Sequence, residues 1–166
     1  MPPAGGAVAP QVWVRLGQGA DAALVSDWLD RIQPLPVPDA RARQLMLGEL
    51  LSQSGRGICL LASDAPDGGT LLACLPVALL SSLELAGLAG CAIEWWVRPE
   101  LDAATRRACL EACCATLADW GRAHGIRHAL LAPGLVAGHG GAPPGFRLHG
   151  NGMWHGSLLP AAKVLG

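Results

Sequence analysis

The sequence predicts an α/β (α+β) domain with helices on both faces of one mixed, mostly antiparallel sheet. Three apolar segments between residues 58 and 97 alternate with turns, as in a strand meander. A long amphipathic helix then separates the last of them from another apolar strand. Short turns make neighbouring strands antiparallel, whereas a helical crossover makes two strands parallel. At 166 residues the chain is long enough for one domain with a substantial core, which we expect to span residues 11–166.

The first elements are a strand and two helices. Residues 1–10 lack the basic start and apolar core of a signal peptide, and we expect a disordered tail there. A strand is expected at residues 11–16, and residues 21–32 carry apolar side chains at helical spacing after an aspartate that suits an N-cap. A proline-rich connector leads to a second helix at residues 39–52. The apolar side of this second helix is predicted to contain Ala42, Leu45, Met46 and Leu50.

Three predicted strands follow in the middle of the chain. They are expected at residues 58–63, at residues 70–80 with a bend at Pro76, and at residues 91–97. Residues 71–97 are almost wholly apolar, so a membrane helix, which needs about 20 such residues, is the alternative. A proline, a glutamate and two glycines interrupt this run, which favours two buried strands joined by a turn at AGLAG.

The last elements are a long helix and two strands. The helix is expected at residues 102–124, where Asp102 suits the N-cap and a glycine follows the end. Its apolar stripe is predicted to contain Leu110, Cys113, Cys114, Leu117 and Trp120. A strand at residues 126–132 should lie beside residues 91–97 and run parallel to them. A glycine-rich loop and a final strand near residues 153–159 complete the chain.

The composition limits which binding partners and which cellular compartment we expect. A formal net charge of -1 gives no electrostatic reason to expect nucleic acid or an anionic membrane as a partner. The six cysteines form no C-x-x-C pair, and without a secretion signal we expect cytoplasmic free thiols that fill the core. A single lysine, abundant arginine and the small apolar residues indicate a high-GC bacterial genome. The apolar third strand and six tryptophans suggest a homodimer, because large apolar patches seldom stay exposed.

The order of elements and four local segments resemble the GNAT superfamily of acyl-CoA-dependent N-acyltransferases over residues 11–159. The segments are APDGG in a turn, IEWWVRPE at a strand end, WGRAHGIRHALL after the long helix, and the pair Gly145-Phe146. The resemblance implies a GNAT-like sheet with a splayed gap, acetyl-CoA or another acyl-CoA as acyl donor, and an amine as acceptor. The pantetheine arm of the donor would then lie beside Trp96, Val97 and Arg98.

The phosphate-binding loop departs from the family pattern. The family has Q/R-x-x-G-x-G/A at the start of the long helix, whereas this chain has Asp102-Ala103-Ala104-Thr105-Arg106-Arg107, without either glycine. The helix N-terminus still offers free N–H groups and the positive end of the helix dipole. The resemblance therefore implies a pyrophosphate site at Thr105, Arg106 and Arg107, and the residues leave open whether that site is modified or lost.

Acyl transfer to an amine needs a base, and an acid assists the departing thiolate. Glu94 is the expected base, because it is a carboxylate on an apolar strand that would disfavour its charged form. The alternative is that Glu94 faces solvent or pairs with an arginine, and Glu84 is a weaker base candidate. The family's usual acid is a tyrosine near the Gly-Phe pair, but the chain has no tyrosine. The histidines His139 and His155 are the expected substitutes, with His149 a further one, and no metal is expected.

Three functions remain open at this point. The first is an acyl-CoA-dependent N-acyltransferase, most simply an acetyltransferase, that acts on a small-molecule or protein amine. The second is a catalytically inactive GNAT-like module with a regulatory or assembly role, which the missing glycines and tyrosine favour. The third is an acyltransferase whose donor is an acyl carrier protein, for which a nucleotide-binding loop is unnecessary.

Overall fold

A computed structural model describes residues 9–159, so the tail expected at residues 1–10 lies outside the described residues except for its last two. Eight strands in this part of the chain form one sheet in the order β1-β2-β3-β4-β6-β8-β7, and β5 pairs with β3. The strands are β1 (Trp13–Leu16), β2 (Gly57–Ser63), β3 (Leu71–Ser82), β4 (Gly87–Ala92), β5 (Trp96–Val97), β6 (His128–Leu131), β7 (Phe146–Leu148) and β8 (Trp154–Ser157). The helices are α1 (Ala22–Ile32), α2 (Val37–Leu51), α3 (Ala103–Ala123) and α4 (Pro133–Ala137).

The predicted fold class is confirmed. Strands β4 and β6 are parallel and are joined by α3, whereas the other strand pairs are antiparallel. Helix α3 covers one face of the sheet through its predicted stripe, which packs with Leu60, Leu75 and Leu131. Helices α1 and α2 cover β2 and β3 on the opposite face, where Trp28 and Leu51 pack with Cys59 and Leu61. The membrane-helix alternative for residues 71–97 is wrong, because these residues form β3, β4 and β5.

The strand predicted at residues 91–97 is broken, and the residues before it that were predicted as a turn are a strand. Strand β4 begins at Gly87 and ends at Ala92, and β5 resumes pairing with β3 only at Trp96. Ala78 pairs with Cys91 and Cys74 pairs with Trp96, so three residues of β3 lie opposite four residues of the other segment. This is a one-residue bulge at residues 93–95.

Pro76 supplies a physical reason for the bulge. The N–H of Leu79 points to β2, where it bonds to Arg56, while the carbonyl of Leu72 points to β5, where it accepts from Arg98. Backbone groups along a strand alternate between the two neighbouring strands, so the nitrogen of Pro76 faces the bulge. A proline has no N–H to donate, and the ladder is therefore missing a donor where residues 93–95 leave it.

Helix α2 presents a different face from the one predicted. It begins at Val37, with Pro38 in its first turn, two residues before the predicted start. Leu47 and Leu51 are its buried residues, whereas Leu45 is 69% exposed and Met46 is 55% exposed. The predicted stripe was therefore out of phase with the stripe that meets the sheet.

The segment predicted as a glycine-rich loop contains two short elements. Helix α4 follows β6 directly, with Pro133 at its first turn, and β7 pairs with β8 as an antiparallel hairpin. Their few residues carry no clear helical or alternating pattern, so tertiary pairing rather than local propensity specifies them. The predicted last strand is confirmed as β8, but it ends at Ser157.

Gly57 and Gly48 allow the same substitution to be tested at a crowded and at an open position. A Cβ on Gly57 would lie 2.2 Å from the carbonyl oxygen of Val77, whereas a Cβ on Gly48 would meet nothing within 4 Å. We expect Gly57→Ala to lower the free energy of unfolding by about 3 kcal/mol through overpacking. Gly48→Ala, at an exposed position in the last turn of α2, should raise it by about 0.5–1 kcal/mol. Urea denaturation of both variants measures the difference, and equal effects would contradict the packing of β2 against β3.

Candidate functional site

A gap opens in the sheet between β5 and β6. The parallel pair of β4 and β6 ends with the bond from the N–H of Ala132 to the carbonyl of Ala92, 2.9 Å long. Beyond this bond β5 pairs with β3, and no strand among the described residues pairs with its other side. Because Arg98 donates to Leu72 on the β3 side, alternation directs the backbone groups of Val97 into the gap. The predicted segment Trp96–Arg98 thus borders an opening with a free peptide edge.

A pocket of about 670 Å³ lies at the N-terminus of α3. It is lined by Ala103, Ala104, Arg106 and Arg107 on the helix and by residues 138–140 on the facing loop. The first N–H groups of a helix have no intrahelical partner and lie at the positive end of its dipole. The pocket therefore combines free backbone donors with arginine side chains, which suits a phosphate group.

Arg107 is a structural clamp rather than a free cation. Its Nε donates to Glu111 at 2.6 Å, its Nη1 donates to the carbonyls of His139 and Gly141, and its Nη2 donates to the carbonyl of Ala142. These bonds use four of its five N–H groups and tie the loop after α4 to the first turns of α3. Arg107 therefore shapes the pocket wall but has little capacity left for a ligand.

Arg106 keeps more of its donor capacity. Its Nε donates to the carbonyl of Leu101 at 2.9 Å and its Nη2 donates to the carbonyl of Pro99 at 2.7 Å. Within the described residues its Nη1 has no hydrogen-bond partner. The two bonds hold the guanidinium at the pocket, and its Nη1 remains available to donate to a ligand.

Thr105 does not offer its N–H to a ligand, because Asp102 caps the helix as predicted. The Thr105 N–H donates to the Asp102 carboxylate at 2.7 Å. Hydrogen bonding by the Thr105 side chain and then by its N–H holds the pKa of Asp102 below its usual value. A charged carboxylate at the helix N-terminus opposes an incoming phosphate. Of the three residues predicted for the pyrophosphate, Arg106 alone retains clear hydrogen-bonding capacity for a ligand. The backbone N–H groups of Ala103 and Ala104 are further donors at the same helix N-terminus.

Trp95 and His139 form an aromatic pair on the α3 side of the sheet, beside the gap. Their ring centroids are 6.0 Å apart, with an interplanar angle of 88°. Trp95 Nε1 and His139 Nδ1 are buried and have no hydrogen-bond partner in the described part of the chain. Burial lowers the pKa of His139, with a further contribution from Arg106 and Arg107, so the imidazole is neutral at pH 7. His139 can thus donate or accept a hydrogen bond, but it is not a charged acid.

Glu94 lies in the bulge on the opposite side of the sheet from Trp95. It is exposed, so the expectation of desolvating apolar surroundings is wrong. Its carboxylate accepts a hydrogen bond from Trp96 Nε1 at 3.3 Å, and the Trp96 ring packs below the guanidinium of Arg43 at 5.6 Å. Arg43 donates to Asp30 at 2.6 Å, which occupies its charge. Glu94 is therefore an oriented carboxylate open to solvent, and no arginine in the described part of the chain forms an ion pair with it.

His155 belongs to a different cluster, away from the gap. His155 Nε2 lies 2.9 Å from His128 Nδ1 within a hydrogen bond, and its ring lies 5.7 Å from that of His149. His149 Nε2 lies 3.3 Å from a Glu84 oxygen without hydrogen-bond alignment. Burial and the two neighbouring imidazoles lower the pKa of His155. The His155 backbone lies opposite Leu130, near the end of β4, but its ring turns back toward His128. Glu84 precedes β4 and Glu94 follows it.

Neither metal ligation nor thiol chemistry is indicated by the arrangement. Within residues 9–159 no three His, Cys, Asp or Glu side chains are arranged to hold a metal ion. The six cysteines are buried free thiols, as predicted, and burial raises the pKa of Cys109 to about 11 and that of Cys114 to about 12. The thiols of Cys109 and Cys114 therefore stay protonated at neutral pH and are poor nucleophiles. No described helix has both the length and the apolar character needed to cross a membrane.

Comparison with solved structures shows the GNAT fold. An integron cassette protein from the mobile metagenome of Cole Harbour Salt Marsh is similar with a TM-score of 0.60 and 21% identity, over 82% of this chain and 88% of that one. A GNAT-family acetyltransferase from Listeria monocytogenes 4b F2365 is similar with a TM-score of 0.51 and 14% identity, over 88% and 94%.

A third solved structure agrees with these two. A ribosomal-protein-alanine N-acetyltransferase from Brucella melitensis biovar Abortus 2308 is similar with a TM-score of 0.52 and 19% identity, over 73% of this chain and 79% of that one. No family model and no curated protein matches the sequence. At these identities the similarity establishes the fold of the chain, and the chemistry has to be argued from its own residues.

The clamp at Arg107 can be tested through stability. Arg107→Ala removes the donors of three loop carbonyls and an ion pair, and we expect the free energy of unfolding to fall by about 2 kcal/mol. The control is Arg122→Ala, near the end of the same helix, where an exposed pair with Asp119 is lost. That control should change stability by less than about 0.5 kcal/mol. Urea denaturation compares them, and equal losses would show that Arg107 does not hold the loop.

Proposed function

We propose that the chain is an acyl-CoA-dependent N-acyltransferase, with acetyl-CoA as the simplest donor. The observation that carries the proposal is the gap between β5 and β6 at the bulge of residues 93–95, where Trp95 packs against His139 of the α3 pocket and Glu94 lies on the other face. A long donor with a charged end and a reactive thioester end matches an opening with a polar entrance and a carboxylate beyond it. The GNAT fold of the chain supports the same function.

The residues at the gap fit such a donor. The backbone N–H and carbonyl of Val97 would pair with an amide of the pantetheine arm, as a neighbouring strand would. The unpartnered Trp95 Nε1 and His139 Nδ1 are polar atoms for which a ligand amide or carbonyl would supply a missing hydrogen bond. The pyrophosphate would take the N–H groups of Ala103 and Ala104 together with Arg106 Nη1.

The proposed chemistry is attack of a free amine on the thioester carbonyl carbon. The new C–N bond forms, the C–S bond breaks, and the sulfur leaves as a thiolate. Glu94 accepts the ammonium proton directly or through a water, a role that suits an exposed and oriented carboxylate. His139 would hydrogen-bond the departing thiolate through a ring N–H, and solvent returns the proton. His155 is the weaker candidate for that task, because it faces His128 away from the gap.

Removal of Arg106 tests the donor site. We expect Arg106→Ala to weaken acetyl-CoA binding by about tenfold or more, because a charge-assisted hydrogen bond is lost. Arg122→Ala at the far end of α3 removes an exposed arginine of the same helix and should leave the affinity unchanged. Isothermal titration calorimetry on folded variants measures both. Equal affinities in wild type and Arg106→Ala would rule out this placement of the pyrophosphate.

Removal of the Glu94 carboxylate tests the base. Glu94→Gln should lower turnover by roughly 10²–10⁴-fold at neutral pH, with little change in acetyl-CoA affinity. The loss should shrink at high pH, where more of the amine is already unprotonated. Glu84→Gln makes the same chemical change at the start of β4 and should retain wild-type turnover. Wild-type turnover in Glu94→Gln with saturating acceptor would remove Glu94 from the mechanism, and a larger loss in Glu84→Gln would reassign the base.

A second function, a GNAT-like module without catalysis, is favoured by one observation. The Asp102 carboxylate already occupies the Thr105 N–H, and Arg107 is committed to loop carbonyls, so two of the expected phosphate contacts are taken. Absence of binding at millimolar acetyl-CoA by folded wild-type protein would support this module. Binding of an acylated phosphopantetheine without binding of acetyl-CoA would instead indicate a carrier-protein donor.

A further inference from the structure

An apolar groove runs beside Glu94 on the sheet face opposite α3. Two adjoining cavities of about 70 Å³ and about 190 Å³ share Leu50, Pro76 and Glu94 in their walls. Helix α2 contributes Met46 to the smaller cavity, and the bulge contributes Ile93 to the larger one. The Glu94 carboxylate is therefore at the junction of one continuous groove between α2 and the sheet.

Glu94 is the charged side chain of this groove that forms no ion pair with another described residue. Among residues 9–159, Glu94 is the one charged residue in the wall of the larger cavity, and Arg43 is the other charged residue in the wall of the smaller one. Arg43 is neutralised by Asp30 and also donates to the carbonyl of Gln33. The groove thus offers one unmatched negative charge and otherwise mostly apolar walls.

Exposed apolar side chains border the carboxylate on both sides. Met46 is 55% exposed on α2 and Ile93 is 71% exposed in the bulge. An occupant with an apolar body would cover both side chains while it places a cationic group at Glu94. A second or third ammonium on the occupant would instead face apolar walls without a partner, which is costly.

From this geometry we infer that the amine acceptor is a monoamine on an apolar body, held with its alkyl or aryl part in the groove and its nitrogen at Glu94. The inference rests on the proposed function and narrows its acceptor. It separates apolar monoamines from polyamines and from other polycationic acceptors.

The first test compares acceptors of increasing length. Ethylamine, butylamine and hexylamine share one ammonium group and differ in apolar surface. With saturating acetyl-CoA, kcat/KM should rise by about fourfold for each methylene buried, until the groove is filled. Spermidine should be a poorer acceptor than hexylamine. No dependence on alkyl length, or a preference for spermidine, would overturn the inference.

The second test uses a matched pair of variants on α2. Met46→Asp places a charge in the groove and should raise KM for hexylamine at least tenfold, with KM for acetyl-CoA unchanged. Leu45→Asp makes a similar change on the neighbouring residue, which is 69% exposed and lines neither cavity, and it should behave as wild type. Thermal unfolding checks that both variants fold, and Met46→Ser replaces Met46→Asp if the latter does not. Equal KM values in the two variants would contradict the groove.

Calorimetry without a donor distinguishes failure of the groove from failure of the proposed function. Hexylamine should bind wild type more tightly than ethylamine does, and Met46→Asp but not Leu45→Asp should abolish the difference. This result in a protein that neither binds nor uses acetyl-CoA would leave the groove in place and refute the transferase. Binding of acetyl-CoA with no affinity for hexylamine in either assay would refute the groove and leave the transferase.

Discussion

The absent N–H of Pro76 is the constraint on which the remaining features of the site depend. It faces residues 93–95, where the segment between β4 and β5 has one residue more than the part of β3 opposite it. These residues therefore do not pair with β3. The extra residue ends the parallel pairing with β6 at Ala92, which opens the gap. It also lifts Glu94 out of the apolar environment that a regular strand would have imposed. One missing donor in β3 is thus linked both to the opening and to the exposure of the carboxylate beside it.

Arg107 shows how a glycine-free corner can still be well ordered. Glycine is useful in a phosphate loop because its backbone can approach the ligand closely. Here the guanidinium fork binds three loop carbonyls and Glu111, so the loop is held by a side chain from the helix. The clamp positions the His139 backbone and supplies part of the field that keeps its imidazole neutral. Compared with a glycine-containing phosphate loop, this corner therefore has a rigid pocket wall in place of a backbone that can approach the ligand closely.

The sequence predicted the parts of the fold that local chemistry determines. The capped helix α3, the parallel pair of β4 and β6 and the resemblance of the corner to GNAT proteins were all readable from apolar periodicity, Asp102 and a few short segments. The phase of α2 was not, because Leu45 and Met46 are as apolar as Leu47 and only the position of the sheet decides which are buried. The bulge was missed for a similar reason, since Pro76 signalled a bend in β3 whereas its effect falls on the neighbouring strand. The clamp of Arg107 joins residues more than thirty apart in sequence, and no local sequence pattern predicts such a contact.

The alternation of side chains across the bulge divides the proposed reaction between two faces. Trp95 packs with His139 on the α3 side, where the donor pocket lies, while Glu94 and Trp96 face α2 and the apolar groove. In the proposed reaction, an amine at Glu94 would meet the thioester at the gap between β5 and β6. His139 borders the gap and the His155 ring does not, so His139 is the better placed of the two to contact the departing thiolate in the proposed reaction. In the proposed reaction the sheet would keep the charged end of the donor on the face opposite the Glu94 carboxylate, which would limit the repulsion between the two negative charges.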